Sequence, residues 1–258
     1  MDYLLTEEQQ MLQELARQIA HERIKPIRAQ LDEEETFPWD IMADLAQADL
    51  CGTVIPEAYG GLELGCLENC LVLEALAEGC VGVATTYAAS FLGAYPLLLY
   101  GTDAQKHRYL PPLARGEALA AFALTEPQAG SDAGAIATTA VKDGDFYVLN
   151  GQKMWTSCAR YMTHMYLVAR TDPNAPKQKG ISEFVIDIKT PGITIRPTID
   201  ITGSEAWGEV FFDNVRVPKK YLIGEKNRGF YQILNQLDFE RSGVERLMGN
   251  YPLFDAII

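Results

Sequence analysis

The chain has 258 residues, 48% hydrophobic and 22% charged, ordinary proportions for a globular protein and enough for one large core or two modest ones. Its formal net charge of -13 excludes a general nucleic-acid or anionic-membrane binder, because Lys and Arg form no patch that offsets the acidic background. Five cysteines without CxxC spacing point to free, mostly buried thiols, and His21, His107 and His164 show no metal-ligand spacing and read as surface or partly buried structural residues.

No basic leader with an apolar core opens the chain, and no apolar run is read as approaching the ~20 residues of a bilayer span, so a cytoplasmic protein without a membrane span is expected. Thr6 and Gln9 form a capping box, and Met11, Leu12, Leu15 and Ile19 recur at helical spacing. They predict a helix from Glu7 to Ile24, ended by Pro26. A second helix is predicted from Pro38, with Ile41, Leu45 and Ala48 inward, before the Glu57 to Gly61 turn. Helical periodicity returns from Leu67 to Glu78 and from Val83 to Tyr100, and a short helix capped by Thr102 is expected to stop at Pro111-Pro112. Residues 1–117 therefore read as an all-helical domain.

From Leu119 the apolar period switches to two. Asp143-Gly144 and Asn150-Gly151 read as hairpin turns, and further strands are expected at His164 to Ala169, Ser182 to Ile188, Ile193 to Arg196 and Glu209 to Phe212. Residues 118–226 thus predict a compact antiparallel barrel or sandwich, with an exposed loop from Asp172 to Lys179. After Gly224 helical spacing resumes, with Phe230, Ile233, Leu234, Leu237, Val244 and Met248 on one stripe. No stop signal precedes Ile258, so residues 227–258 read as the first helix of a third part, and the chain looks cut. The expected fold class is α+β and multidomain: an all-α domain, an antiparallel β-domain and a truncated helical bundle.

Chemistry concentrates in FALTEPQAGSDAGAIAT, Phe122 to Thr138, where an apolar strand runs into a loop of small and hydroxyl residues, Thr125, Gly130, Ser131 and Gly134. Such a loop lets backbone amides approach a flat, heteroatom-rich ligand. NGQKMWTS, Asn150 to Ser157, follows. Either stretch alone is also ordinary turn punctuation, with Trp155 filling a core; both together in this order are harder to read that way. Leu-Thr-Glu-Pro, a gap of two, Gly-Ser-Asp, and then Lys-Met-Trp resemble the middle domain of the acyl-CoA dehydrogenase family of flavoenzymes. The likeness extends to Leu5-Thr6-Glu7-Glu8-Gln9, Pro56 to Gly61, Lys179-Gly180-Ile181, Val215 to Pro218 and Leu237-Asp238-Phe239-Glu240-Arg241, essentially the whole chain.

The resemblance implies an FAD enzyme that oxidises the Cα–Cβ bond of an acyl-CoA thioester to a trans-2-enoyl-CoA. A Glu would remove the α-proton, while the β-hydrogen would leave as hydride to flavin N5. It implies flavin contacts from Phe122, Leu124, Thr125, Trp155, Thr156 and Ser157, and substrate contacts from Gly130, Ser131, Asp238 and Arg241. It also implies electron-transfer flavoprotein or a similar acceptor as partner, and a homo-oligomer, dimer or tetramer.

Three residues depart from the family's usual pattern: Ser157 where Thr is common, Thr156 where an apolar β-branched residue is usual, and Thr202 where many members have Arg. The Val83 to Tyr95 segment would help close the acyl pocket, with Tyr87, Phe91 and Tyr95 shaping it, or those aromatics are simply core at helical spacing.

For the catalytic base, family members use either a Glu late in the C-terminal domain or one just before an Arg on the first bundle helix, where Glu240 stands. On a helix Glu240 lies about 60° to one side of Leu237 and Arg241 about 40° to the other, so both charges flank the apolar stripe. The plainer reading makes Glu240 a surface residue, with Arg241 paired to Glu245. Alternatives to the dehydrogenase are an enoyl-CoA reductase or a flavin oxidase or monooxygenase on the same fold, and a non-catalytic partner subunit.

Overall fold

A computed structural model describes residues 4–241, 244–255 and 257–258; the side chains of Phe91 and residues 244–246 lie outside the described set. The chain divides into two compact units, one of Met1–Ala94, His107–Glu117 and Phe239–Ile258, the other of Tyr95–Lys106 and Ala118–Asp238.

In the first unit the Thr6 capping box starts α1 (Glu7–Ile19), with Gln9 N donating to Thr6 Oγ1 at 3.2 Å and Thr6 N to Gln9 Oε1 at 3.0 Å. A π-turn (Ala20–Ile24) carries the helix to the predicted end at Ile24. α2 (Arg28–Glu34) was not expected, and it buries no residue, so no apolar stripe announces it. α3 (Trp39–Gln47) starts directly after Pro38 and buries Ile41, Met42 and Leu45. α4 (Cys66–Gly79) and α5 (Val81–Leu92) follow. At the end of α4, a methyl on Gly79 would lie 2.9 Å from Ala20 O and 3.1 Å from the Ile24 side chain, so glycine is what lets α4 close on the π-turn.

The predicted helix from Val83 to Tyr100 is two helices, α5 and α6 (Tyr95–Tyr100), because the chain turns at Gly93-Ala94. Residues 81–100 are also long and apolar enough to span a bilayer by length and composition, which corrects the sequence reading. A buried core helix passes the same test, and Val83, Ala84, Tyr87, Ala88 and Leu97 are buried. α7 (Asp103–Ala114) runs through Pro111 and Pro112 instead of stopping there. Proline lacks a donor but keeps its carbonyl, and Arg115 N and Glu117 N bond to Pro111 O at 3.1 Å and Pro112 O at 2.9 Å, closing the helix a turn later.

The second unit is built on eight strands: β1 (Ala120–Ala123), β2 (Thr139–Asp143), β3 (Phe146–Ser157), β4 (His164–Arg170), β5 (Ile181–Asp187), β6 (Ile193–Thr198), β7 (Trp207–Pro218) and β8 (Leu222–Ile223). They form one sheet in the order β6-β7-β3-β2-β4-β5-β8, with β1 on β4. The β1–β4 and β2–β4 pairings are parallel, so the sheet is mixed where a purely antiparallel one was expected. Leu149, Leu167, Phe184, Ile186, Val210, Val215 and Val217 form its core.

Asp143↔Phe146 closes the β2–β3 hairpin on Gly144 and Asp145, one residue beyond the predicted turn. Asn150-Gly151 is not a turn. β3 runs through it, and the register against β7 slips between Leu149 and Gly151, a bulge with Gly151 at φ 149°. A methyl there would lie 2.5 Å from Thr138 Oγ1. Gly151→Ala is expected to lower unfolding free energy by about 2–3 kcal/mol, read from its urea midpoint at unchanged slope.

After β8 the described chain is helical over α8 (Gly229–Arg241) and α9 (Val244–Asp255), in the segment where a helix was expected; α9 packs on α4 and α5. The inward face of α8 also differs from the apolar stripe. Gly229, Gln232, Ile233 and Gln236 are buried, Phe230 and Leu237 half-buried, and Leu234 exposed; the Val244 side chain lies outside the described residues. Of the cysteines, all free, only Cys51 is buried, so the expectation of mostly buried thiols fails.

Candidate active site

Beyond β1 the chain folds back at Glu126, whose backbone N and O both bond to Ala129, at 3.0 and 3.1 Å. The Glu126 side chain turns inward. Its Oε1 accepts from Lys153 Nζ at 2.7 Å and Thr138 N at 3.0 Å, and its Oε2 from Ala137 N and Gln128 Nε2, each at 2.7 Å. Lys153 Nζ donates a second bond to Leu124 O at 3.0 Å, and the next residue, Met154, donates its N–H to Thr125 O at 2.9 Å. The two charged side chains are 0% and 2% exposed. Burial pushes the Glu126 carboxyl up, but the Lys153 charge and the bonds from Lys153, Thr138 and Ala137 outweigh it and hold it below the usual range. Burial also pulls the Lys153 ammonium down, to about 8, against the Glu126 charge.

Arg170 fastens the far side of the same loop, donating from Nε to Ile136 O at 2.8 Å and from Nη2 to Gly134 O at 2.7 Å. The loop from Leu124 to Thr138 is therefore held at both ends by buried or half-buried charge.

At the end of β3 the register slips again, between Lys153 and Thr156. Trp155 takes a left-handed φ of 58°, a conformation that costs a non-glycine residue roughly 1–2 kcal/mol. Its indole is 50% exposed, edge-on to Trp207 at 6.1 Å, and Ser157 is exposed two residues on. Thr156 faces the other way: it is 1% exposed, and its buried hydroxyl has no hydrogen-bond partner among the described residues. Period-two geometry thus parts the Thr156 side chain from Trp155 and Ser157.

Phe122, Leu124 and Thr125 are half-buried, with the Phe122 ring 5.6 Å from that of Tyr166. Gly130 and Ser131 are exposed on the loop, and a methyl at Gly130 would meet nothing within 4 Å. Asp238 is exposed on α8 and closes the sequence range of the second unit. Glu240 and Arg241, at the end of α8, belong to the first unit, with Arg241 Nε 3.9 Å from Glu240 Oε2 and side-chain exposures of 73% and 34%. The Glu245 side chain, the alternative partner of Arg241, lies outside the described residues, as does Phe91. Tyr87 is fully buried, its hydroxyl 3.1 Å from Thr53 Oγ1 and 3.2 Å from Asn69 Oδ1, which makes it a core residue; Tyr95 is half-buried.

Sequence reasoning missed the Glu126–Lys153 pair. Its signal was a lysine at an inward strand position, two residues from the exposed tryptophan.

Residues 6–117 match the family description "Acyl-CoA dehydrogenase, N-terminal domain" and residues 121–215 "Acyl-CoA dehydrogenase, middle domain". The chain belongs to the acyl-CoA dehydrogenase family. It is 38% identical over 251 residues to the probable acyl-CoA dehydrogenase YngJ of Bacillus subtilis, covering 96% of this chain and 66% of that protein. It is also 38% identical to the 3-(aryl)acrylate reductase of Clostridium sporogenes, covering 93% of this chain and 64% of that one. Among solved structures, a glutaryl-coenzyme A dehydrogenase complexed with glutaryl-CoA superposes with a TM-score of 0.90 at 35% identity, covering 99% of this chain and 66% of the other. The chain thus spans slightly less than two thirds of the curated relatives it matches.

Family members are FAD-dependent, and an FAD complex of PigA superposes with a TM-score of 0.89 at 26% identity, covering 99% of this chain and 68% of that one. The candidate site fits such a group at its ring end. An indole held in a strained backbone, half exposed, with a hydroxyl two residues on and on the same side, offers a flat apolar face and a donor for a planar heteroaromatic ring.

Proposed function

We propose that this chain serves as an FAD-dependent acyl-CoA dehydrogenase acting on the Cα–Cβ bond of an acyl-CoA thioester. The observation that carries it is Trp155, exposed in a strained left-handed backbone beside a loop fixed by buried charge. Bound FAD supplies the two-electron acceptor. Trp155 and Ser157 would hold its ring face and edge, with the backbone at Leu124 and Thr125 alongside. Gly130, Ser131, Asp238 and Arg241 would bind the acyl-CoA, and the Glu240 carboxylate would take the α-proton. Electron-transfer flavoprotein as acceptor belongs to the same reading. So does a homo-oligomer, for which Leu247, Tyr251 and Phe254, exposed at helical spacing on α9, offer apolar surface.

A second reading is reduction of an enoyl-CoA by the same site, favoured by relatives of equal identity named as reductases, among them the acryloyl-CoA reductase (NADH) of Anaerotignum propionicum at 38%. Anaerobic titration of the FAD-loaded protein decides between them. Acyl-CoA is expected to bleach the flavin absorption and yield one enoyl-CoA per flavin. Recolouring of pre-reduced flavin by enoyl-CoA, without bleaching by acyl-CoA, gives the reductase, and neither response overturns both.

A further inference from the structure

We propose that the buried Glu126–Lys153 pair is the positioning element of the site, locking the Leu124-Thr125 backbone to the Met154–Ser157 segment so that both present a fixed edge to the flavin ring. The flavin part rests on the function proposed above; the lock itself does not.

Saturation argues for positioning over catalysis. The Glu126 carboxylate accepts four donors, two on each oxygen, so no lone pair is left for a substrate. Lys153 is fully buried, and its ammonium is shared between Glu126 and the carbonyl of Leu124. Both groups are sealed from solvent.

The lock spans two pieces of chain about 27 residues apart, joined at three points: Lys153 to Glu126, Lys153 to Leu124 O, and Met154 N to Thr125 O. All three sit immediately before Trp155, and the strand resumes its pairing just after it, with Thr156↔Gly208 and Ser157↔Trp207. A strained residue persists only where its neighbours over-determine it, and here it is anchored on both sides. A buried ion pair is a poor source of stability compared with packed apolar side chains, so its presence calls for a geometric reason. The reason visible here is register: an aliphatic side chain at 153 would fill the space but could not grip the Leu124 carbonyl.

The test is Lys153→Met, alone and combined with Glu126→Gln, the double variant avoiding an unpaired buried carboxylate in case the single one fails to fold. In the flavin-free protein, exchange of the Met154 amide is expected to quicken about 10-fold or more in whichever variant folds, while amides of Leu167 and Phe184 in the β4–β5 core keep their wild-type rates. Kd for FAD is expected to rise about 10-fold or more, with the Trp fluorescence spectrum altered. Unchanged Met154 exchange overturns the lock. Faster Met154 exchange with wild-type affinity for FAD overturns its assignment to the flavin. A wild-type protein that takes up no FAD while the variants still show faster Met154 exchange overturns the functional reading and leaves the lock standing. Exchange quickened equally throughout the core reduces the pair to a general structural role and overturns the proposal.

Discussion

Glu240→Gln is expected to slow acyl-CoA-dependent flavin reduction by about 10³-fold or more, at unchanged FAD content, because an amide cannot take the α-proton. Glu240 is the penultimate residue of α8, on a side chain 34% exposed, next to Arg241 at 3.9 Å. A base needs that combination of partial access and a fixed helix beneath it. The glutamine keeps the shape and the helix propensity, so loss of rate without loss of flavin isolates the proton transfer. Asp238→Asn, two residues earlier and exposed, serves as the control and is expected to alter substrate affinity more than rate. Stopped-flow absorbance of the flavin is the measurement. Reduction by the Glu240 variant at close to the wild-type rate would remove the base from this chain.

How much of this could be read from residues alone depends on where the determinants lie. The capping box at Thr6, the cap at Thr102 and the Pro38 start were legible because each is a local backbone requirement written in one or two side chains. Asn150-Gly151 misled because the same dipeptide serves a hairpin or a bulge, and what decides is the partner strand β7, distant in sequence. Pro111-Pro112 misled because loss of a donor is local while satisfaction of the acceptors depends on residues a turn ahead. In the site, the glycine loop was visible as composition and Trp155 only through the family resemblance. The Glu126–Lys153 pair, which holds them, was not, because a charged residue in a strand reads as solvent-facing until its long-range partner is known. α8 shows the same limit. Its expected inward face was the apolar stripe alone, yet Gln232 and Gln236 point inward to meet a carboxylate on β5.

That carboxylate sets the second expectation: Glu183→Gln should gain about 3 kcal/mol of stability over the wild type at pH 8 and nothing near pH 4.5. Glu183 is fully buried in β5, and its Oε2 accepts from Gln236 Nε2 at 2.8 Å and Gln232 Nε2 at 3.3 Å. Burial pushes its carboxyl up to about 7, more than the two amide bonds draw it down. Its Oε1 and the Oε1 of Gln236 are both buried without a hydrogen-bond partner among the described residues, the arrangement of a site that wants a proton or an amide N–H. With the folded value raised above the unfolded one, the native state holds the proton longer. The stability this contributes is full below about 4.5 and is lost as pH rises through about 7. Buried His164 works in the opposite sense, its imidazole lowered by burial to about 4, so stability from its neutral form grows as pH rises towards the ordinary histidine value. The two slopes nearly cancel between about pH 4.5 and 6.5, so the wild-type curve alone is uninformative there. The difference between Glu183→Gln and wild type, from urea unfolding at each pH, removes His164 from the comparison. It is expected to climb from zero near pH 4.5 to a plateau above pH 7, and a difference that stays flat across that range would mean Glu183 ionises in the fold as it does in water.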